Sequence, residues 1–256
     1  MIHKTAIIHR NAEVPEDCQI GPYCVIGDGV ILGEGCQLQS HVVIGGPTRI
    51  GKSNQFFPFC SIGQKTQDLK YKGEPTHLVI GAHNVFREYV TINRATGKGD
   101  QTVVGNHNTI LAYAHIAHDC VLGNRVVVSN CGTFAGHVII EDDVVIGGLT
   151  AVHQFCRIGK MAITGGCSKV VQDIPPFMMA DGNPAEVRTT NKVGLERHGV
   201  SETIQKHLRN AFKLLCRESG LNIGDAVIKI RKELPSTPEL THLCNFVEKS
   251  ERGISR

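Results

Sequence analysis

Large apolar residues recur at every sixth position along the first two thirds of the chain. Starting at Ile2 and stepping by six to Val170, nearly every position holds Ile, Leu, Val or Phe. A helix cannot keep such positions on one side, because a step of six drifts around a turn of roughly 3.6 residues. The pattern therefore predicts an element that repeats its geometry every six residues.

Glycine often follows the stepped apolar position, as in Ile20-Gly21 and Ile146-Gly147. We expect each short strand to point one large aliphatic side chain inward. We expect Gly, Asn and Asp to occupy the turns, where a positive φ is tolerated. Successive coils then stack as parallel strands about 4.8 Å apart. A six-residue period of this kind is typical of a parallel β-helix.

The apolar step fails at Asp68, Glu74 and Lys98, which lie in two polar stretches. We expect residues 64–78 and 94–102, within a residue or two, to form loops that protrude from the coils. Loops held on a rigid scaffold often carry binding residues. The period stops after Val171, where a Pro- and Gly-rich segment follows. We therefore assign residues 1–185 to an all-β parallel β-helix with two protruding loops.

The remaining residues, 186–256, predict a small α-helical C-terminal domain. In the segment SETIQKHLRNAFKLLCRESG, Ser201 precedes the apolar positions as an N-cap and Gly220 stands at the end, which predicts a helix. The segment NIGDAVIKIRKEL predicts a second helix. Thr237 followed by Pro238 predicts the start of a third.

Composition favours a cytoplasmic protein. The net charge is only +3, so we expect no nucleic-acid partner. The N-terminal segment has no apolar stretch of signal-peptide length. No run approaches the roughly 20 apolar residues that a spanning helix needs, so we expect no stable membrane insertion.

The ten cysteines follow the repeat, and none of them forms a CxxC pair. Several fall on residue numbers divisible by six, namely Cys18, Cys24, Cys36, Cys60, Cys120 and Cys156. This regularity indicates reduced thiols that fill a recurring slot for a small apolar side chain. Reduced thiols also agree with a cytoplasmic location.

Three histidines fall in consecutive coils if the chain folds as the hexapeptide-repeat family does. This chain resembles that family, in which three hexads make one triangular left-handed coil and residues three hexads apart stack vertically. The hexads that contain His118, His137 and His153 then share one face, with His115 at the adjoining corner. We expect these imidazoles to lie in one patch of the side wall.

Chemistry at this patch requires a base and an oxyanion donor. A neutral imidazole accepts a proton near pH 7, because its ordinary pKa is about 6.5. Such a base suits a hydroxyl group that attacks a thioester, and the oxyanion that forms needs a hydrogen-bond donor. His118 with Asp119 would supply the base, and the backbone N–H of Gly136 would meet the oxyanion.

A structural role and a metal-binding role for these histidines also stay open. In the structural role, they would be turn residues that make hydrogen bonds. In the metal-binding role, they would bind zinc in a hydratase of the γ-carbonic-anhydrase type, because trimers of that class ligate zinc through histidines. Nearby acidic and cysteine residues show no ligand pattern, so we expect no metal.

Several segments closely resemble the bacterial UDP-N-acetylglucosamine O-acyltransferase family. They are DLKYKGEPT, AHIAHDC, FAGH, IGGLTAVHQFC and GGCS, followed by QDIPP and GNPA. The resemblance runs essentially from end to end. It implies a homotrimer of left-handed β-helices, with active sites in clefts between adjacent subunits.

The resemblance implies transfer of a fatty acyl or 3-hydroxyacyl group from acyl carrier protein to the 3-position of UDP-N-acetylglucosamine, the first committed step of lipid A biosynthesis. No resident cofactor is expected, because phosphopantetheine arrives with the acyl donor. The same base would serve a sugar nucleotide with a 3-amino group. The acceptor atom, the acyl chain length and the need for a 3-hydroxyl on the donor therefore stay open.

The resemblance also implies a role for each site residue. His118 would deprotonate the sugar 3-hydroxyl, and the Gly136 amide would stabilise the oxyanion. The substrate-binding residues would be Asp68 and His115 at the glucosamine ring, Lys70 and His137 along the acyl and pantetheine path, His153 and Gln154 near the sugar and acyl groups, Asn191 and Arg197 at the uridine diphosphate, and Gly166 at the floor of the acyl groove.

The chain departs from the family at three positions near the nucleotide. Val193, His198 and Pro184 stand where some well-known members have an acidic residue, a second Arg and a His. The details of the nucleotide contacts therefore stay open. Some of the implied site residues also have a purely structural alternative. These alternatives are a turn glycine at Gly166, an exposed helix charge at Arg197 and a merely solvated loop around residues 68 to 70.

Overall fold

The structure, a computed structural model, describes residues 1–218 and 220–256. Its strands are β1 Ile7–Ile8, β2 Gln19–Ile20, β3 Val25–Ile26, β4 Val30–Leu32, β5 Gln37–Leu38, β6 Val43–Ile44, β7 Thr48–Ile50, β8 Gln55–Phe56, β9 Ser61–Gln64, β10 His77–Ile80, β11 Val85–Phe86, β12 Thr91–Asn93, β13 Gln101–Val104, β14 Thr109–Ile110, β15 His115–Ile116, β16 Val121–Leu122, β17 Val127–Val128, β18 Thr133–Phe134, β19 Ile139–Ile140, β20 Val145–Ile146, β21 Ala151–Val152, β22 Arg157–Ile158, β23 Ile163–Thr164, β24 Lys169–Val170, β25 Met178–Asp181 and β26 Glu186–Thr190. Its helices are α1 Lys192–Arg197, α2 Glu202–Cys216, α3 Ile223–Glu233 and α4 Pro238–Glu248.

The strands form three sheets, which are the faces of a triangular prism. Sheet A contains β2, β5, β8, β11, β14, β17, β20, β23, β25 and β26; sheet B contains β1, β3, β6, β9, β12, β15, β18, β21 and β24; sheet C contains β4, β7, β10, β13, β16, β19 and β22. Strands pair in parallel with the next coil, as Ile116 with Phe134 and Phe134 with Val152. The last pair, β25 with β26, is antiparallel.

The corners between strands line up into three edges. The chain passes from sheet A to sheet B to sheet C, so the A–B edge includes residues 129–132, the B–C edge residues 117–120 and the C–A edge residues 141–144. Stacked corner residues are 18 positions apart, as Asn106 and Asn124 on the C–A edge. Each coil therefore consists of three six-residue sides, as the sequence period predicts.

The inside of the prism is filled by the stepped apolar residues. Phe56, Phe86 and Phe134 are fully buried there. The predicted thiol slot is present as well: Cys24 donates its S–H to the Gln39 carbonyl at 2.7 Å. The cysteines are free, and the six that follow the repeat are buried.

The expectation that Gly, Asn and Asp would occupy the positive-φ turn positions was wrong for most corners. The left-handed residue is usually a larger one, such as Tyr89 with φ 61° or His137 with φ 61°. The glycines that follow the stepped position serve a different purpose. A Cβ on Gly21 would lie 2.7 Å from the Gln39 carbonyl oxygen of the next coil, so glycine allows the coils to approach closely.

Both protruding loops leave the prism at the B–C edge. Residues 65–76 connect β9 of sheet B to β10 of sheet C, and residues 94–100 connect β12 to β13. The two loops hold each other, since Thr66 and Thr96 share a hydroxyl hydrogen bond of 2.9 Å. The Gly99 N–H also donates to the Pro75 carbonyl at 2.9 Å. The loops therefore form one projection beside the edge that carries the histidines.

The C-terminal helices begin where the sequence predicts. Ser201 caps α2 through the N–H of Ile204, and Thr237 caps α4 with Pro238 in its first turn. α2 ends at Cys216, before the predicted end of that segment. The predicted segment also includes Ser219, which lies outside the described residues. The short helix α1 is an element that the sequence pattern did not reveal.

The last strand and α4 attach the helices to the prism. The predicted boundary at 185/186 falls just before β26, which pairs with sheet A. The guanidinium of Arg157 lies 4.1 Å from the ring centroid of Phe246 in α4, and Glu141 accepts from His242 Nε2 at 2.7 Å. In the described part of the chain, no helix is both long and apolar enough to cross a bilayer.

Candidate active site

A histidine–carboxylate pair occupies the B–C edge between β15 and β16. His118 Nδ1 lies 2.7 Å from Asp119 Oδ2, and the two side chains are only 14% and 8% exposed. A carboxylate only accepts, so the ring proton belongs on Nδ1. The Nε2 atom of His118 therefore keeps its lone pair and is available as a base.

Asp119 is fixed from three sides. It takes the left-handed corner position with φ 61°, and its own N–H donates to Thr102 Oγ1 at 2.8 Å. Its second carboxylate oxygen, Oδ1, accepts the N–H of Thr96 at 3.2 Å. Thr96 lies in the second loop and Thr102 in β13, so this loop and the strand after it help to orient the carboxylate. The sequence pattern did not single out either threonine.

Gly136 lies directly beside His118 in the next coil. A Cβ at this position would lie 2.6 Å from Nε2 of the imidazole. Among the described residues, no acceptor takes the Gly136 N–H. A free amide beside the base is what an oxyanion donor requires, and only glycine leaves room for the ring there.

His137 completes the patch on the next coil. Its ring stacks on Phe155 with centroids 4.7 Å apart and meets the His118 ring edge-on at 5.4 Å. Its Nε2 lies 3.6 Å from Asp119 Oδ2. Two of the three predicted imidazoles are therefore in direct contact.

The third imidazole, His153, lies on the same edge but does not join that contact. Within the described chain, ring contacts of this patch link His118 to His137 and His137 to Phe155 only. His153 is exposed, and its Nδ1 lies 3.1 Å from the Gln154 carbonyl. The three histidines occupy different positions within their hexads, so the 18-residue stacking places Gln154, rather than His153, in line with His118 and Gly136.

His115 was expected at a corner, but it lies in strand β15 of sheet B, with Ile116 between it and the B–C edge. Its Nδ1 is 2.7 Å from the hydroxyl of Thr91. Burial, and secondarily the neighbouring His118, lowers the pKa of His115 below its ordinary value. His115 is therefore neutral at pH 7 and acts as a hydrogen-bonding group rather than as a second positive charge beside the base.

The loop residues Asp68 and Lys70 belong to the projection on the same edge. Asp68 Oδ1 accepts the backbone N–H of Lys70 at 2.8 Å, and the N–H of Asp68 donates to Thr66 Oγ1 at 3.0 Å. Thr66 in turn bonds to Thr96, whose N–H contacts Asp119. A chain of hydrogen bonds thus connects the loop to the His118–Asp119 pair, while the Lys70 side chain is exposed.

A cavity of about 400 Å³ opens beside the pair on sheet C. Asp119 and His137 line it, together with Val121 and Ile139. These two aliphatic residues are 41% and 39% exposed, although they are large and apolar. The sequence pattern did not indicate these two residues, because their outward positions in the hexad carry no distinctive signal.

The remaining predicted residues lie at the other two edges. Gly166 is a corner residue of the A–B edge, between β23 and β24. A Cβ there would contact the Gly148 carbonyl oxygen at 3.4 Å, so a methyl group would just fit. Asn191 is tied to the C–A edge, because its Nδ2 donates to the Met161 carbonyl at 2.8 Å. One chain therefore does not bring these residues together with His118.

Asn191 and Arg197 bound the short helix α1. Asn191 is the N-cap, and its Oδ1 accepts the N–H of Gly194 at 3.0 Å. Both polar atoms of its side chain thus have partners within the chain. Arg197 is the last residue of α1 and is exposed, and the adjacent His198 lies 3.9 Å from Asp143 on the C–A edge.

The arrangement defines a class of protein. A six-residue β-helix with a base and a free amide at one edge is a hexapeptide-repeat transferase, and residues 11–46 and 101–136 match the family model described as bacterial transferase hexapeptide (six repeats). Residues 173–255 match the model described as domain 2 of Udp N-acetylglucosamine O-acyltransferase.

The chain belongs to the UDP-N-acetylglucosamine O-acyltransferase family. It is 52% identical over 256 residues to the acyl-(acyl-carrier-protein)–UDP-N-acetylglucosamine O-acyltransferase of Thermodesulfovibrio yellowstonii, covering 100% of this chain and 99% of that protein. The solved structure of LpxA from Acinetobacter baumannii superposes with a TM-score of 0.96 at 46% identity, covering 100% of this chain and 99% of that one. LpxA from Bacteroides fragilis, a UDP-N-acetylglucosamine acyltransferase, gives 0.97 at 39% identity, covering both chains completely.

These relatives confirm the predicted fold class. The chain is an all-β left-handed parallel β-helix of hexapeptide repeats followed by a small α-helical C-terminal domain. They also confirm that the protein is an acyltransferase and do not favour the zinc-dependent hydratase.

Proposed function

We propose that this protein transfers an acyl group from acyl carrier protein to the 3-position of UDP-N-acetylglucosamine, the reaction that opens lipid A biosynthesis. The single observation that carries the proposal is the His118–Asp119 pair, 2.7 Å apart, with the free Gly136 amide beside it. The names of the relatives supply the donor and the acceptor.

In the proposed reaction, His118 Nε2 takes the proton of the sugar 3-hydroxyl as the oxygen attacks the thioester carbonyl. Asp119 stabilises the imidazolium that forms, because it already accepts the Nδ1 proton. The carbonyl oxygen becomes an oxyanion, to which the Gly136 N–H donates. Collapse expels the phosphopantetheine thiolate, and His118 returns the proton to that sulfur. No resident cofactor takes part, since the pantetheine arrives with the donor.

Substrate contacts follow from the position of each group on the B–C edge. Asp68 and neutral His115 would hydrogen-bond the glucosamine ring, and His153 and Gln154 would lie near the sugar and acyl groups. Lys70 and His137 would line the acyl and pantetheine path. The exposed apolar surface of Val121 and Ile139 supports this path, because an acyl or pantetheine chain that covers it removes apolar surface from water.

We further propose that the working unit is a homotrimer with clefts between neighbouring subunits. Gly166 lies on the A–B edge, and Asn191 with Arg197 flanks the C–A edge, away from His118. If these residues serve the same substrate as His118, a second copy must provide some of them. The Arg197 guanidinium suits a diphosphate, and the missing side chain at Gly166 leaves room for a long acyl chain.

Both proposed substrates, acyl carrier protein and a sugar nucleotide, are water-soluble, and we therefore propose a cytoplasmic location. A sugar nucleotide with a 3-amino group is the second candidate acceptor, since the same base would assist its attack. Assays of the protein with each of the two sugar nucleotides distinguish the two candidate acceptors.

The test is to incubate the protein with acyl carrier proteins of varied chain length and UDP-N-acetylglucosamine, and to detect acylated sugar nucleotide by mass spectrometry. His118→Ala removes the base, so we expect turnover to fall by about 10²–10⁴-fold with an unchanged assembly. The matched control is His107→Ala, because His107 stacks on His83 at 4.9 Å, away from the B–C edge. Wild-type turnover in the His118→Ala protein contradicts the proposed mechanism.

A further inference from the structure

We propose that Zn²⁺ binds between His118, Asp119 and His137 and switches the acyltransferase off. One ligand atom from each of these three side chains lies within 4.8 Å of the other two. Two imidazoles and one carboxylate are a ligand set that Zn²⁺ accepts, with a fourth position left for water. The bound ion is an inhibitor in this proposal and takes no part in the reaction.

Two of the three separations between the ligand atoms are already close to those that a bound Zn²⁺ requires. Zn–N and Zn–O bonds of about 2.0–2.1 Å at tetrahedral angles separate the ligand atoms by about 3.3 Å. Asp119 Oδ2 lies 2.7 Å from His118 Nδ1 and 3.6 Å from His137 Nε2. These two separations therefore each need to change by about 0.3–0.6 Å. The third, between the two imidazoles, is within 4.8 Å, and the His137 side chain is 41% exposed, so its ring has room to turn toward His118.

The ligands are also held in place by their neighbours. The Thr96 N–H and the hydroxyl of Thr102 fix Asp119, and the Phe155 ring stacks flat on His137. Groups that orient ligands in this way raise the affinity of a metal site. By contrast, the stacked pair His83 and His107 provides two imidazoles without a carboxylate contact among the described residues.

The inhibition follows from where the ring proton must go. In the metal-free protein, Nδ1 of His118 carries the proton and Nε2 is the base. An ion on Nδ1 displaces that proton, so the ring's remaining N–H must be on Nε2. The ring can then no longer accept the proton of the acceptor hydroxyl. This consequence for turnover rests on the proposed function, whereas binding of the ion does not.

The choice of ion follows from ligand chemistry. Imidazole nitrogen suits Zn²⁺, Cu²⁺ and Ni²⁺, while Mg²⁺ and Ca²⁺ prefer sets of oxygen ligands. A site with two nitrogens and one oxygen therefore discriminates against the abundant alkaline-earth ions. We expect Mg²⁺ at millimolar concentration to leave both the site and the activity unaffected.

The experiment titrates the chelator-treated full-length protein with Zn²⁺ by calorimetry. We expect one ion per chain, and His137→Gln should weaken its binding by at least about tenfold, because even the loss of a supporting group costs that much. His107→Gln is the matched control and should bind as wild type does. Binding that is equal in wild type and His137→Gln, or that is lost in His107→Gln, overturns the site.

Co²⁺ serves as a spectroscopic probe, since three cysteines, Cys131, Cys167 and Cys216, are not buried and could bind the ion instead. We expect visible d–d bands without thiolate charge-transfer absorption; a thiolate signature overturns the assignment. Turnover should fall as the site fills and return when a chelator removes Zn²⁺. Unchanged turnover at full occupancy overturns the inhibition alone. A metal-free protein that binds Zn²⁺ but never acylates the sugar contradicts the proposed function instead.

Discussion

At the scale of single residues, Gly136 allows the base and the oxyanion donor to be neighbours. A Cβ at 136 would overlap the His118 imidazole, with 2.6 Å to Nε2. The Gly136→Ala substitution should therefore displace the ring from the attacking hydroxyl. Small misplacements of a catalytic group cost about 10²-fold in rate, so we expect a loss of that size in kcat.

Steady-state kinetics and thermal unfolding of the same preparation check this prediction. Gly224→Ala is the control, because Gly224 lies in α3 and its nearest neighbour, Asn222 Oδ1, is 3.4 Å from a built Cβ. Alanine there should preserve turnover and raise stability by up to about 1 kcal/mol. A Gly136→Ala enzyme with wild-type kcat contradicts the proposed geometry.

His115 gives the site a defined response to acid. Burial lowers its pKa, so the folded protein binds fewer protons at His115 than the unfolded chain does below pH about 6.5. The stability that neutral His115 contributes is complete above that pH and is lost as the pH falls through the lowered folded-state pKa. His115→Asn should therefore reduce the loss of stability on acidification.

Urea unfolding of wild type and His115→Asn at several pH values between about 5 and 7.5 measures the free energy of unfolding of each protein. The slope of that free energy against pH gives the difference in bound protons between the unfolded and folded states. Parallel curves for wild type and His115→Asn would show that His115 titrates alike in the folded and unfolded states.

The sequence revealed some of these residues and not others, for physical reasons. His118 and His137 stand out because their hexads lie one above the other on the same face, and the resemblance to the family implies their roles. The contacts of Thr96 and Thr102 with Asp119 depend on how a loop folds back, which residue spacing does not encode. His153 was expected in the same patch as His118 and His137, but it occupies a different position within its hexad, so its ring stands apart from the other two.

At the scale of elements, each coil is stabilised by its neighbours rather than by its own contacts. Phe86 of β11 is fully buried and stacks on Phe56 of β8 with ring centroids 4.9 Å apart. Phe86→Ala should leave a cavity across two coils and lower the free energy of unfolding by about 3–5 kcal/mol. Ile7→Ala, on a side chain that is 65% exposed, is the control and should change it by less than about 0.5 kcal/mol.

Chemical denaturation monitored by circular dichroism provides both values. A loss below about 1 kcal/mol at Phe86 would indicate that the coil relaxes around the missing ring. It would then follow that the interior is less tightly packed than the buried stack suggests.

The elements were predictable because the loops respect the repeat. Across the first loop, stacked partners are 30 residues apart, as Asn54 and Asn84, and across the second they are 24 apart, as Thr91 and His115. Both spacings are multiples of six, so the apolar step continues in phase beyond each loop. The antiparallel strand β26 and the helix α1 follow no such repeat, so neither has a comparable periodic signal.

At the scale of the whole molecule, the proposed functional groups lie on three different edges, which run parallel to the long axis of the prism. The base, the free amide and both loops lie on the B–C edge, whereas Gly166 lies on the A–B edge and α1 on the C–A edge. A solenoid side is rigid, so these groups cannot approach one another by bending within one chain. The fold was predictable from the six-residue step, but this division among edges required the register of the coils.

Two inactive proteins should therefore restore each other's activity. If each cleft takes His118 from one subunit and Arg197 from its neighbour, co-expressed His118→Ala and Arg197→Ala chains form mixed trimers in which about a third of the clefts contain neither substitution. Hybrids purified through two different tags should thus show about a third of wild-type turnover, and the unfractionated mixture should show about a quarter. Complementation that never exceeds the sum of the two separate variants would place both residues of a cleft on the same polypeptide.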